Sequence, residues 1–202
     1  MKPFVLIAAL GLLALGGCAV GSSAPLFQPA DFRPHGLAEG RWAMYGPGCK
    51  VRPAEPIPEC AVPVEVNGAV MTLKVEDVVG AMGAPPGAMP PMNTKKPDHS
   101  KIELVAGDPE ILQMTKIRAD DTPPATPDLT PAVTYAGFRT NARNAKGEVT
   151  DGVMWIIVCP KPPLPEGLHE GPACTADTPM AIRALAPHMK PFLSYYLTWI
   201  GP

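Results

Sequence analysis

Residues 62–75 read VPVEVNGAVMTLKV, two runs rich in β-branched and apolar residues that are separated by Asn67-Gly68. Asn-Gly between such runs is a strong indication of a β-hairpin, because both residues tolerate the positive φ of a tight turn. The cross-strand pairs predicted by a two-residue turn there are Val66 with Ala69, Val64 with Met71 and Val62 with Leu73. One face of this hairpin would be wholly apolar, which predicts a sheet that covers a core.

Strand-like segments continue on both sides of the hairpin. Before it, residues 41–45 alternate in polarity, and after it come runs at 102–106, 110–117, 133–140 and 149–158. Residues 154–158 are continuously apolar, which is typical of a strand buried on both faces. The tail 193–199 alternates again and predicts a closing strand.

A single helix is expected near the C-terminus. Thr178 is a good N-cap, Pro179 suits the first helical position, and Pro187 should end the helix within two turns. The sequence therefore predicts a mainly β fold: an antiparallel sandwich or small barrel of seven to nine strands, with one short helix in the C-terminal region.

The N-terminus has the pattern of an export signal, with Lys2 followed by an apolar run over 4–14. This run ends in Leu15-Gly16-Gly17-Cys18, which resembles the lipobox of bacterial lipoproteins. The resemblance implies cleavage before Cys18 and lipidation of Cys18, and several acyl chains on one residue anchor a protein stably to a membrane. In this class, Ala19 after the cysteine implies sorting to the outer membrane, with the chain facing the periplasm; the cell surface is the alternative. The alternative is an ordinary secretory signal with an incidental cysteine.

Three segments follow from this interpretation: a lipoprotein signal peptide over 1–17, a lipidated tether over 18–35 and a single domain over 36–202. The tether is expected because residues 19–34 contain three prolines and no sustained periodicity. The whole chain has 28 prolines, where average usage predicts about ten, and this excess favours short strands over long helices. In layout the chain resembles the small envelope lipoproteins of Gram-negative bacteria.

Four cysteines remain after Cys18: Cys49, Cys60, Cys159 and Cys174. An even number in an exported chain predicts two disulfides, for which three pairings are possible. We favour Cys49 with Cys60 and Cys159 with Cys174, since each pair closes a short proline-rich loop. A zinc site is the alternative, although the spacings lack the paired two-residue gap of zinc knuckles.

Charge composition argues against nucleic acid as a partner. Removal of residues 1–17 takes away Lys2 and leaves 16 Lys and Arg residues against 19 Asp and Glu residues. A near-neutral, slightly acidic domain has no basic patch with which to bind a phosphate backbone.

The sequence contains no recognisable catalytic motif. None of the serines lies in a Gly-x-Ser-x-Gly elbow, and Asp98-His99-Ser100 are neighbours on an expected loop, where they cannot adopt triad geometry. His169-Glu170 lacks the second histidine of a zinc-protease helix. The carboxylate pairs Glu76-Asp77 and Asp120-Asp121 are interpreted as solvated. We therefore expect no enzyme and no cofactor.

One metal alternative stays open. Met89, Met92 and His99 carry thioether and imidazole groups, which select Cu(I) in exported copper carriers. Methionine is also a common gap-filler in cores, and no metal site is predicted on this basis.

The sequence thus favours a non-enzymatic binding or structural module, anchored through the lipid on Cys18. A lipocalin-like barrel that holds an apolar small ligand is one version, and an envelope protein is the other possible partner. The alternatives are an enzyme with an unrecognised site and a Met/His copper-binding envelope protein.

Overall fold

Eleven strands are present in the computed structural model, which describes residues 19–73, 98–117, 131–171, 174–189 and 194–202. Their bounds in chain order are β1 Gly21–Ser22, β2 Gly40–Tyr45, β3 Ala61–Asn67, β4 Val70–Leu73, β5 Asp98–Val105, β6 Glu110–Ile117, β7 Val133–Arg143, β8 Val149–Ile156, β9 Leu168–His169, β10 Thr175–Ala176 and β11 Ser194–Gly201. One α-helix, α1, spans Pro179–Met189, and Pro29–Asp31 form a single 3₁₀ turn.

Eight of these strands close an antiparallel barrel. β2 to β8 pair in chain order, and β11 completes the barrel by pairing with both β8 and β2. The predicted mainly β fold with a short C-terminal helix is therefore confirmed, as a barrel and not a sandwich. The short strands β1, β9 and β10 form a small extension at the outer edge of β7.

Side chains fill the interior of the barrel. Strand alternation turns Trp42, Leu112, Phe138 and Leu197 inward, and each of the four is less than 2% exposed. An eight-stranded barrel is just wide enough for its inward side chains to fill it. The other buried residues of this core are Leu37, Ala38, Val64, Val66, Met71, Ile102, Leu104, Ala136, Val149 and Met154.

The predicted hairpin is present, but its register differs from the expectation by two residues. Asn67 pairs with Val70 and Val66 pairs with Met71, so the two turn residues are Gly68 and Ala69. Gly68 has a positive φ of 58° and donates its N–H to the Glu39 carboxylate at 3.1 Å, which holds the turn at this position. A shift of two residues leaves the same side chains facing the core, so the apolar face is preserved.

Residues 19–35, expected to form a tether, instead lie against the barrel. Val20 and Phe27 are buried, and β1 pairs with the start of β7. The physical reason is that this proline-rich segment carries apolar side chains that match the outer wall of β6 and β7. Its lack of periodicity reflects an irregular path and not a free chain.

Residues 32–38, here called the strap, cross one open end of the barrel. The strap bonds to the end of β5 through Arg33 N and Leu104 O (2.7 Å), and to the start of β8 through Ala38 N and Val149 O (2.9 Å). Trp42 Nε1 donates to the carbonyl of Ala38 at 2.8 Å. We call this the strapped end, since β5 and β8 are not neighbours and the strap must span the opening between them.

Both predicted disulfides are formed, Cys49–Cys60 and Cys159–Cys174, with Cα–Cα distances of 5.8 and 5.7 Å. The first closes the loop between β2 and β3, and the second joins the chain after β8 to the start of β10. Both lie at the end of the barrel opposite the strap, which we call the disulfide end. Helices within the described ranges lack the length and apolarity needed to cross a bilayer.

Helix α1 packs on the outer wall. Thr178 Oγ1 accepts from Ala181 N at 3.3 Å, as expected of its N-cap, and Trp155 Nε1 donates to the carbonyl of Ala186 at 2.7 Å. The prediction that Pro187 ends the helix is wrong, because the helix continues to Met189. Proline at this position removes one donor in the last turn, and its fixed φ is compatible with a helix.

Strand β5 begins earlier than expected. Asp98-His99-Ser100 belong to this strand and not to a loop, because β4 supplies their ladder partners, with Thr72 opposite His99. Pairing with a neighbouring strand overrides the weak β-propensity of these three residues.

Candidate functional site: an arginine cleft at the strapped end

A carboxylate enters the barrel at the strapped end. Glu110 is the first residue of β6 and lies on the same side of the strand as the inward Leu112. Its side chain is only 8% exposed. A buried carboxylate is costly unless it is paired, so its partners define the local chemistry.

Three donors from two segments surround Glu110. Arg33 Nε, from the strap, and Arg143 Nη2, at the end of β7, donate to Oε1 at 2.9 and 3.0 Å. Thr140 Oγ1, inward on β7, donates to Oε2 at 2.6 Å. The carboxylate is thus a fully paired anion that fixes the positions of two guanidinium groups.

This cluster forms the floor of a cleft of about 350 Å³, which we call the arginine cleft. Its rim is open to solvent, because the Arg33 and Arg143 side chains remain 42% and 31% exposed. Arg139 also lines the cleft; it is exposed and forms no hydrogen bond or ion pair within the described ranges. The complete lining is Arg33, Gly107, Asp108, Pro109, Glu110, Phe138, Arg139, Thr140 and Arg143.

A second cleft of about 320 Å³ lies beside the strap and shares Arg33 with the first. Its carboxylates already have partners: Glu39 accepts from Gly68 N at 3.1 Å, and Glu148 accepts from Asn144 Nδ2 at 2.7 Å. Glu103 accepts from Gln113 Nε2 at 3.0 Å and pairs with Lys101 at 2.6 Å. These acids brace the barrel end, so we do not assign a ligand to this cleft.

A buried hydroxyl pair lies on the outer wall, below the N-terminal segment. Tyr135 Oη is 2.7 Å from Ser22 Oγ and accepts from Leu26 N at 3.1 Å. Burial raises the pKa of Tyr135 above its ordinary value of 10.0, and its hydrogen bonds with Ser22 and with the Leu26 N–H oppose part of this rise. Burial likewise raises the pKa of Tyr195. These Tyr135 hydrogen bonds hold residues 22–27 against β7, and neither Tyr135 nor Ser22 lines the arginine cleft.

The residues singled out in the sequence do not converge on a site. His99 Nδ1 lies 3.0 Å from Thr72 Oγ1, and Ser100, the next residue of the strand, points to the opposite face. His169 is exposed and pairs with Asp177 at 2.5 Å. Outside the described ranges lie Cys18, the predicted lipidation site, the Met89 and Met92 of the copper alternative, and the carboxylate pairs interpreted as solvated, Glu76-Asp77 and Asp120-Asp121.

Sequence reasoning missed Arg33, Glu110 and Arg143. The position of Glu110 could have been predicted, since it lies two and four residues before Leu112 and Met114 on a predicted strand and therefore faces the same side as they do. Arg33 carried none, because residues 19–34 were expected to be a tether. Only the fold shows that the strap returns this side chain to the mouth of the barrel.

No group of three or more His, Cys, Asp or Glu side chains in the described part of the chain is arranged to hold a metal ion. Comparison of the chain with known protein families, with curated proteins and with solved structures found no match. The arginine cleft is therefore interpreted from its own geometry.

Proposed function

We propose that the protein is a non-enzymatic binding module of the bacterial envelope, held at the outer membrane by a lipid on Cys18 and facing the periplasm, which binds an anionic group in the arginine cleft. The observation that carries the binding proposal is the geometry of Glu110, which holds Arg33 and Arg143 at the open strapped end. The export proposal is supported by the lipobox resemblance and by two disulfides, which are characteristic of oxidising compartments.

An anionic ligand fits the described barrel better than the apolar ligand expected from the strand faces. The apolar side chains of the strands pack against one another inside the barrel, where Trp42 and Phe138 have no exposed surface. A ligand in the interior would have to displace these side chains, whereas the arginine cleft is open already. Its volume lies at the lower limit of small-molecule sites.

The donors of the cleft select carboxylate or phosphate. Arg33 uses its Nε for Glu110 and Arg143 uses Nη1 for the carbonyl of Gly147 at 2.8 Å, while Arg139 has no partner in the described ranges. Guanidinium groups present planar pairs of N–H donors that match the oxygens of such anions. Three arginines and two acids, Asp108 and Glu110, line the cleft, so the residues around it carry an excess of positive charge.

Binding is favoured over catalysis because the one buried carboxylate of the cleft is occupied. Glu110 accepts from three donors, and the Thr140 hydroxyl directs its proton to Glu110 and not to the cleft. Neither group is placed to act as base or nucleophile, the pair that an enzyme with an unrecognised site would need.

The test is calorimetric titration of the purified, lipid-bearing protein in detergent with inorganic phosphate and with citrate at low ionic strength. Arg139→Gln should weaken binding about tenfold, the loss expected from one charge-assisted hydrogen bond of about 1.4 kcal/mol. The matched control is Arg52→Gln, an exposed arginine on the disulfide loop that bonds only to the exposed Glu55 in the described structure. Equal effects of the two substitutions, or no heat with either anion, would refute the proposed site.

A further inference from the structure

The position of Ala19 fixes where a lipid on Cys18 would hold the barrel. Ala19 forms a β-bridge with Val158, Val20 N donates to Ile157 O at 2.8 Å, and Gly21 N donates to Cys174 O at 3.0 Å. Val20 has no exposed surface. The first residue after Cys18 is therefore already part of the folded wall, and consecutive Cα atoms are only about 3.8 Å apart.

We infer that the protein docks directly on the phospholipid bilayer through the loop next to Ala19, residues 159–171, with the disulfide end toward the membrane and the arginine cleft away from it. This inference rests on the proposed lipid anchor at Cys18. A tether of many residues would let the domain rotate freely above the surface. One peptide bond between the lipidated residue and the wall removes that freedom.

The orientation follows from the direction of the strands. β8 runs from the strapped end at Val149 to the disulfide end at Ile156, and Val158 lies two residues beyond. With a strand rise of about 3.3 Å and a tilt of 35–45°, an eight-residue strand separates the two ends by roughly 18 Å along the barrel axis. The cleft would stand at about this height above the lipid headgroups, open to the periplasm.

The loop next to Ala19 is suited to a fixed contact with a surface. Residues 160–165 read PKPPLP, and the disulfide Cys159–Cys174 closes the loop onto β10. Proline has no N–H donor and a fixed φ, so the loop offers few unpaired donors and little backbone freedom. Lys161 is exposed within it, three residues from Val158 and thus no more than roughly 11 Å of chain from the anchor's entry point.

The experiment compares two exposed lysines at opposite ends of the barrel. Lys161 lies at the disulfide end, and Lys146 lies in the turn between β7 and β8 at the strapped end. The lipid-bearing protein is reconstituted in phosphatidylethanolamine vesicles and treated with a short amine-to-amine cross-linker, and lipid adducts are mapped by mass spectrometry. Lys161→Arg and Lys146→Arg are the matched variants, since each removes the reactive amine and keeps the charge.

Lipid adducts should form at Lys161 and be lost in Lys161→Arg. Lys146 should carry no lipid adduct. An insert of about ten Gly and Ser residues between Cys18 and Ala19 should reduce this preference, because it restores rotation. Equal amounts of lipid adduct on both lysines in the original chain, or lipid adducts on Lys146 alone, would overturn the docking geometry while leaving the anchor intact. An unmodified Cys18 in the same spectra would refute the anchor and the docking together, and the titration with phosphate tests the cleft independently of both.

Discussion

Gly137 and Trp155 offer a sharp test of how the helix is held on the barrel. The two residues are opposite one another on β7 and β8, and a Cβ at position 137 would overlap the indole atoms Nε1, Cε2 and Cζ2 of Trp155. Carbon atoms in contact sit about 3.5–4.0 Å apart, so Gly137→Ala must displace the indole. Trp155 is buried, and its Nε1 is bonded to the Ala186 carbonyl, so this displacement also disturbs helix α1.

The loss of folding stability expected for Gly137→Ala has two parts. Overpacking of a buried site costs about 1–3 kcal/mol, and loss of the indole hydrogen bond costs about 1 kcal/mol. Urea denaturation should therefore show Gly137→Ala to be destabilised by about 2–4 kcal/mol, and for a domain of this size the melting temperature should fall by roughly 5–15 °C. The control is Gly46→Ala, where an added Cβ has no neighbour within 4 Å, and its effect should stay within about 0.5 kcal/mol.

A double-mutant cycle with Trp155→Phe separates the steric explanation from a general intolerance of β7. The phenyl ring lacks the Nε1 side of the indole, so Gly137→Ala should cost about 1–2 kcal/mol less in the Trp155→Phe background. An equal cost in both backgrounds, or no difference between the alanine substitutions at 137 and 46, would refute the reasoning.

Three further predictions concern stability. Glu110→Gln should destabilise the domain by about 1–3 kcal/mol in chemical denaturation, because it leaves two partly exposed arginines without their anion; a neutral effect would show that the cluster is not coupled. Replacing Cys159 and Cys174 together by alanine should cost about 3 kcal/mol, from the 15-residue separation that the bridge spans, and a melting temperature equal to that of the oxidised protein would contradict this. Burial raises the pKa of Tyr135 above 10.0, so the folded chain keeps a proton that the unfolded chain releases; stability should be full below about pH 10 and fall as the pH rises further. Tyr135→Phe should make that alkaline decline shallower, and an unchanged slope would argue against it.

The barrel could be predicted as far as local pattern determines structure. The alternation of apolar residues and the Asn67-Gly68 pair predicted the hairpin, because one face of it must be apolar. The short spacing within each cysteine pair predicted the two disulfides. Closure could not be predicted, since the pairing of β11 with β2 joins the two ends of the domain. The register of the hairpin was not predicted correctly, because the Glu39 carboxylate that binds Gly68 comes from outside the hairpin.

The arginine cleft was out of reach for the same reason. Its members come from the strap, the start of β6 and the end of β7, and only the pairing of β6 with β7 and the return of the strap bring them together. Arg33 is 77 residues from Glu110, and no spacing rule connects them. An irregular segment such as 19–35 packs through isolated apolar side chains such as Val20 and Phe27, which a periodicity argument does not detect.

Mass spectrometry of the N-terminal peptide tests the central claim, that the barrel is held at the membrane through Cys18, most directly. We predict that protein extracted from the membrane fraction begins at Cys18, with a diacylglycerol thioether on its side chain and an acyl group on its amine, and that Cys18→Ala abolishes both the lipid and membrane retention. A chain that begins elsewhere, an unmodified Cys18, or undiminished retention of the Cys18→Ala protein would contradict it.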